Sequence, residues 1–255
     1  MSYLGLMRST KSKLLFVMGG MVVIYFLMTS FVSRGKKLEN NPPEVVIDKP
    51  AQNDRFSWNT IIPYNIRITD KEDGKSEYDE INAKEVLLEV CYLPDAAGAK
   101  IYTDKKRNEK ENSGLTMMIR SDCFTCHASK SKLIGPSFEL IAKKYKMINS
   151  SVERLTKNII NGSKGTWGTT AMPAHKASKV DDVRQMVKWI LSDGANPDIT
   201  LYPGMEGAFK TDKKPANGSA KMVMVLTASY TDHGDKDSMQ NNKYGQYSIS
   251  LKPVN

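Results

Sequence analysis

The residues with the clearest chemistry are Cys123-Phe124-Thr125-Cys126-His127. Two thiols separated by two residues, with an imidazole directly after, match the attachment site of a c-type haem. Each thiol can add to one of the two haem vinyl groups, and the thioethers then fix the ring above an imidazole that ligates iron. A zinc site would use the same residue types but wants two further thiol or imidazole ligands. The remaining candidates, Cys91, His175 and His233, are not at zinc-ligand spacing. A thioredoxin-like redox site would need a βαβ setting, which the pattern lacks. The expected cofactor is therefore one covalent haem c, held by Cys123 and Cys126 with His127 as proximal ligand. A six-coordinate iron needs a second axial donor. Met172 lies in a loop bounded by glycine and proline, whereas Met18, Met21, Met118 and Met186 lie in apolar runs and read as packing or membrane residues. Met172 is the expected ligand, and His175, three residues on, is its rival. A His/Met pair raises the reduction potential relative to two histidines. It also leaves no open position for oxygen or a substrate.

The elements that must position these groups have legible punctuation. Leu115, Met118 and Ile119 read as a helix leading into Cys123. Pro136 suits the first turn of a helix through Phe138, Ile141, Ala142 and Tyr145. Ser150 and Glu153 form a capping-box pattern for a helix through Leu155 and Ile159-Ile160 that Gly162 would end. Asp181 to Leu191 is a further helix, with Val183, Met186, Val187, Ile190 and Leu191 on one face. On either side the idiom changes to short β-strands bounded by Pro, Asn, Asp and Gly. These are Val45 to Ile47, Ile61 to Thr69, Glu85 to Leu93, Lys221 to Tyr230 and Gln246 to Lys252. A lone C-terminal hairpin would be only marginally stable. The expected fold is thus α+β and multi-domain, with an immunoglobulin-like β-sandwich over 44–112 and 203–255 and an all-α haem domain, 113–202, inserted between its strands.

Ahead of these, Leu14 to Val32 is an uncharged, mostly apolar run long enough to cross the roughly 30 Å hydrocarbon core as a helix. Arg8, Lys11 and Lys13 precede it and Arg34, Lys36 and Lys37 follow, so flanking charge does not orient it. Haem attachment outside the cytoplasmic membrane does: residues 1–13 are expected inside, 14–32 as a retained transmembrane anchor, and the bulk of the chain in the periplasm. A cleaved signal peptide is the competing reading, but no Ala-x-Ala site follows. Residues 33–43, ending in Pro42-Pro43, form a tether that reaches at most ~35–40 Å. Gly19-Gly20 could let another membrane helix approach.

The chain is basic, with net charge +9. Between Arg120 and Asp193 thirteen Lys and Arg face six Asp and Glu, a local excess of about +7. A cationic rim at a haem edge steers docking to an acidic redox partner. An exported chain makes nucleic acid a poor target, and no hydrolase triad, phosphate loop or nucleotide fingerprint is present. Three cysteines are too few for a disulfide framework, and Cys91 reads as buried packing. Asp70, Glu72 and Asp73 sit in a turn where calcium could bind, although a solvated loop is the simpler reading. Lys105 to Lys110 and Lys213-Lys214 read as solvated loops at the boundaries of the insert.

From about Leu115 to Ser192 the chain resembles small bacterial class I cytochromes c of the mobile electron-carrier type. The resemblance rests on Cys123 to His127, Ile134-Gly135-Pro136-Ser137-Phe138, Asn161 to Gly168, Ala171-Met172-Pro173 and Lys188-Trp189-Ile190-Leu191. It implies His127 and Met172 as axial ligands, a Pro136 carbonyl accepting the His127 ring N–H, and Trp167 hydrogen-bonded to a haem propionate. The whole exported part looks like a composite module found fused to PQQ-dependent sugar dehydrogenases, in which an immunoglobulin-like domain carries the haem domain as an insert. Asn41-Pro42-Pro43, Asp70 to Gly74, Val86 to Leu93 and Leu226 to Asp232 carry that second likeness. The dehydrogenase itself is missing, and its activity does not carry over. The expected function is electron transfer rather than catalysis. Single electrons would pass between respiratory-chain partners in the same membrane: an oxidase, a quinol-oxidising complex or a dehydrogenase. The alternative is a β-sandwich that binds or assembles a membrane complex, with an accessory haem.

Overall fold

A computed structural model describes residues 40–215, 222–234 and 241–254. The expected anchor at 14–32, the segment 1–13 and most of the tether lie outside the described residues. Among the described residues no helix is long and apolar enough to cross a membrane.

The strands are β1 (Glu44–Lys49), β2 (Arg55–Phe56), β3 (Ile61–Asp70), β4 (Gly74–Lys75) and β5 (Leu87–Leu93), then β6 (Ile199–Pro203), β7 (Glu206–Lys210), β8 (Val223–Thr231) and β9 (Tyr244–Pro253). One sheet pairs β1, β4 and β7 around β3; the other runs β2-β9-β8-β5-β6, and only the short β2–β9 pairing is parallel. Period-two alternation explains how they meet. Tyr64, Ile66 and Ile68 of β3 and Leu88 and Val90 of β5 enter one core with Met224, Leu226, Ala228 and Tyr230 of β8. The opposite face of the five-stranded sheet is also covered, which is why β8 is buried along nearly its whole length.

That second face positions the α-helices of the described residues, which all lie between β5 and β6: α1 (Ala96–Arg107), α2 (Ser113–Arg120), the single turn α3 (Cys123–Cys126), α4 (Phe138–Lys144), α5 (Asn149–Asn161) and α6 (Val180–Ser192). Leu87 of β5 and Leu201 of β6 point outward into a cluster with Met118, Phe138, Met186, Trp189 and Ile190. Each such side chain contributes about 2 kcal/mol by leaving water. A second cluster, Val152, Val183, Val187 and Leu191, joins α5 to α6. Helix α1 lies on Val223 and Val225 through Ala99.

Three local expectations need correction. Lys105, Lys106 and Arg107 are not loop residues: they form the last turn of α1, where cations suit the helix dipole. Lys106 is mostly buried between Glu89 at 2.9 Å and Glu109 at 2.7 Å. Pro136 lies one residue ahead of the cap of α4; Ser137 is the cap, its hydroxyl accepting the Leu140 N–H at 3.2 Å. Ser150 and Glu153 form no capping box, because α5 starts after Ile148 without a side-chain cap and Glu153 is taken by Arg184 at 2.7 Å. Cys91 is buried as expected, and burial pushes its thiol up to about 11.

A polar knot fastens the helices to the sheets. The Arg120 guanidinium donates to the carbonyls of Thr231 and Asp232, both at 2.7 Å, and lies 3.4 Å from Glu85. His233 bridges Glu85 at 3.0 Å and Asp73 at 2.9 Å, and the Tyr230 hydroxyl donates to Asp73 at 2.7 Å. The Glu85 hydrogen bond, with help from Asp73 and against burial, raises His233 to about 9. Burial would raise the Asp73 and Glu85 carboxyls, but the hydrogen bonds from Tyr230 and His233 to the former, and from His233 to the latter, hold both below their ordinary values. The His233 contribution is complete below its unfolded pKa of about 6.5 and is lost as pH rises through about 9. The carboxylate contributions are present above their ordinary pKa of about 4 and disappear as pH falls. Thermal unfolding across this range is expected to show a declining alkaline limb that His233→Gln flattens; an unchanged limb in the variant would remove His233 as its cause.

Candidate cofactor site

The turn α3 brings the two thiols together because residues three apart share a helix face. The Thr125 N–H bonds the Asp122 carbonyl and the His127 N–H the Cys123 carbonyl, both at 3.0 Å, after which His127 leaves in extended conformation. Its ring is held on three sides. Nδ1 lies 2.7 Å from the Pro136 carbonyl. A carbonyl can only accept, so Nδ1 carries the proton and Nε2 keeps a free lone pair. Phe138 stacks on the imidazole at 5.6 Å and 25°, and is itself wedged edge-on against Phe124 and Trp189. Gly135 closes the third side. A Cβ there would lie 2.4 Å from Cε1 and 2.7 Å from Nδ1 of His127, so a larger residue forces the ring from its seat. The Gly135 N–H in turn bonds the Cys126 carbonyl at 2.8 Å.

Met172 is placed by backbone alone. It exchanges hydrogen bonds with Ser163 at 2.8 and 3.2 Å. Gly162, at φ +77°, passes so close that a Cβ would sit 2.9 Å from the Met172 carbonyl. His175 is differently committed: Nε2 lies 3.0 Å from Asp122, and its backbone N–H bonds Ile159 at 3.1 Å. Trp167 stands partly exposed, with the Lys144 ammonium 4.5 Å from its ring centre.

All six expected site residues, Cys123, Cys126, His127, Pro136, Trp167 and Met172, line one cavity of about 310 Å³. Its other walls include Ile134, Phe138, Ile141, Leu155, Ile159 and Val187, with Lys132 and Lys164 among the polar residues. Burial raises the Cys123 thiol, partly offset by its 3.1 Å contact with Ser121. Two adjacent thiols, an imidazole with one nitrogen already satisfied, a thioether and apolar walls fit a covalently attached haem in donor chemistry and polarity. The contributions of Gly135, Ser121 and Asp122 were not legible beforehand. Each acts through a contact with a recognised residue, and only Gly135, inside the Ile134-Gly-Pro run, left a trace in the sequence.

Residues 96–194 match the family model described as cytochrome c. Cytochrome c-551 of Pseudomonas denitrificans is 36% identical over 81 residues, covering 32% of this chain and 98% of that protein. Cytochrome c-552 of Hydrogenobacter thermophilus is 36% identical over 70 residues, covering 28% and 70%. The solved wild-type cytochrome c552 of Nitrosomonas europaea is 29% identical, covering 31% of this chain and 96% of that one, with a TM-score of 0.30.

The helical segment and its cavity thus define a c-type cytochrome, and the chain belongs to the cytochrome c family. It is a monohaem electron-transfer protein with covalently bound haem c, joined to β-sheets that lie outside the matched region.

Proposed function

We propose that this chain is a membrane-anchored cytochrome that carries single electrons between respiratory partners on the outer face of the cytoplasmic membrane. Residues 14–32 serve as the anchor, and the two sheets form an immunoglobulin-like domain with the haem segment as its insert. The observation that carries the reading is the common cavity of Cys123, Cys126, His127 and Met172. Cys123 and Cys126 would hold the haem through thioether bonds, and His127 Nε2 and the Met172 thioether would donate to its iron. When bound, the haem supplies a one-electron couple at its iron.

The chain's own residues do the rest. Pro136 fixes the tautomer and direction of the imidazole. Phe138, Ile141 and Ile159 keep the cavity apolar. Trp167, with the Lys144 ammonium 4.5 Å from its ring centre, would offer a propionate a donor and a countercharge. Lys132 and Lys164 on the cavity lining, within a segment of local charge about +7, favour an acidic docking face on an oxidase, a quinol-oxidising complex or a dehydrogenase. The tether keeps that partner in the same membrane.

The test is to express the full chain with a c-type maturation system and fractionate the cells. A haem-stained band that survives denaturation should stay with carbonate-washed membranes. Its low-spin spectrum should be reduced by respiratory substrate and reoxidised by air through a membrane oxidase. Lys132→Glu with Lys164→Glu should leave the spectrum intact while slowing exchange by ~10-fold at low salt. Covalent haem in the soluble fraction would remove the anchor. Rates unaffected by charge reversal and salt would remove the cationic docking face.

A further inference from the structure

One pole of the β-sheets carries two buried carboxylates with no basic partner among the described residues. Asp70 ends β3, Asp232 follows β8, and Asn40 precedes β1; they are 4%, 0% and 8% exposed. The Asn40 amide nitrogen donates to both Asp232 oxygens, at 3.0 and 2.9 Å, and to the Asn241 carbonyl at 2.7 Å. The other end of that carboxamide, Oδ1, therefore lies beside the Asp232 carboxylate. It is fully buried and has no partner. Asp70 repeats the pattern. Its Oδ1 accepts the N–H groups of Glu72 at 2.9 Å and Asp73 at 2.7 Å, while Oδ2 is buried and unpartnered.

The elements converge. The β1–β3 pairing sets Glu44 opposite Thr69, and the Asn41 side chain reaches Glu72 at 3.1 Å. Asp73 is tied to Tyr230 and His233, which flank Asp232 within a few residues. Burial raises the Asp70 carboxyl, its backbone hydrogen bonds oppose this, and the Asp73 and Asp232 charges push it further. Neither Asp70 nor Asp232 has a basic partner among the described residues. Asp73 pairs with His233, whereas the Asp232 carboxylate is met only by N–H donors, those of Asn40 and the backbone of Gly234 at 2.9 Å and Lys243 at 2.8 Å. Two buried carboxylates that feel each other's charge, with an orphaned oxygen on Asp70 and on Asn40, are costly unless a cation joins them.

We propose that Asn40 Oδ1, Asp70 Oδ2 and the Asp232 carboxylate form the protein half of a calcium site. The donors are all oxygen and mix carboxylate with carboxamide, which suits a hard cation completing its shell with water and backbone carbonyls. No three His, Cys, Asp or Glu side chains among the described residues converge as a ready metal cluster, and a softer metal finds no nitrogen here because both ring nitrogens of His233 are engaged. The site bears on the haem segment as well. The Asp232 carbonyl that accepts from Arg120 belongs to the residue whose carboxylate the cation would fix.

The experiment uses the full haem-loaded chain in mild detergent, stripped with a chelator and titrated calorimetrically with calcium chloride. One equivalent should bind, and about 5 mM calcium should raise the thermal midpoint by ~5 °C. Asp70→Asn should weaken binding at least ~10-fold, and Asn40→Asp, which adds a charged ligand, should tighten it. Three results would overturn the site: no heat and no shift; an equal shift from magnesium or matched sodium chloride; or a calcium-insensitive protein whose midpoint climbs on acidification. The last would mean that a proton on Asp70, shared with Asn40 Oδ1, satisfies the pole instead.

Discussion

Met172→His is expected to lower the reduction potential of the bound haem by ~0.2–0.3 V, a sizeable part of the span of about 0.8 V that axial ligands command. The substitution tests the donor and not the loop. The Met172 backbone is fixed by its two hydrogen bonds to Ser163 and by the close passage of Gly162, neither of which uses the thioether. Optical potentiometry of the full chain reads the shift. Disappearance of the weak long-wavelength sulfur-to-iron band reports the lost thioether. His175→Ala is the control. Its Nε2 is held by Asp122, so removing it should leave potential and band in place. A lowered potential in the His175 variant with an unmoved Met172 variant would transfer the ligand assignment to His175.

How far these features could be read from the sequence depends on how local their causes are. The C-x-x-C-H turn is written in five consecutive residues, and the Met172 loop announces itself by glycine and proline. Tyr64, Ile66 and Ile68 alternate, and β3 places them in the core. Features set by distant partners were not readable. Glu153 sits where a capping box needs it, yet its carboxylate pairs with Arg184, 31 residues away. Helix α1 presents Ala99 to the sheet and leaves Ile101 exposed, so its sequence shows no apolar stripe and its basic end passes for a loop. Strands β6 and β7 are short and part at Gly204, whose φ of +125° lets the chain change sheets. The acidic turn at Asp70 to Asp73 read as solvated. Two of its acids are instead an inward Asp70, held by the Glu72 and Asp73 N–H groups, and an Asp73 claimed by Tyr230 and His233 from far along the chain.

Arg120→Ala is expected to destabilise the docking of the helices on the sheets by ~3 kcal/mol at neutral pH, and by more in alkali. The guanidinium does three things at once. It satisfies the Thr231 and Asp232 carbonyls, and it lies against Glu85 with both side chains 12% exposed. At 3.4 Å the Glu85 contact is the weaker part, so the two carbonyls left without a donor carry most of the neutral-pH loss. Below about 9 the protonated His233 still answers Glu85. Above that pH the imidazole is neutral, and in the variant Glu85 would be a buried charge without a cation. The variant's deficit should therefore widen toward ~5 kcal/mol as pH passes through the His233 titration, while the wild type, which keeps Arg120, declines less. Denaturant unfolding at pH values on either side of that titration, with hydrogen exchange followed over α2, reads both effects. A deficit that does not change with pH would mean that His233 and Arg120 do not share Glu85. A variant as stable as the wild type would place the strength of the junction in Leu87, Leu201 and Trp189 alone.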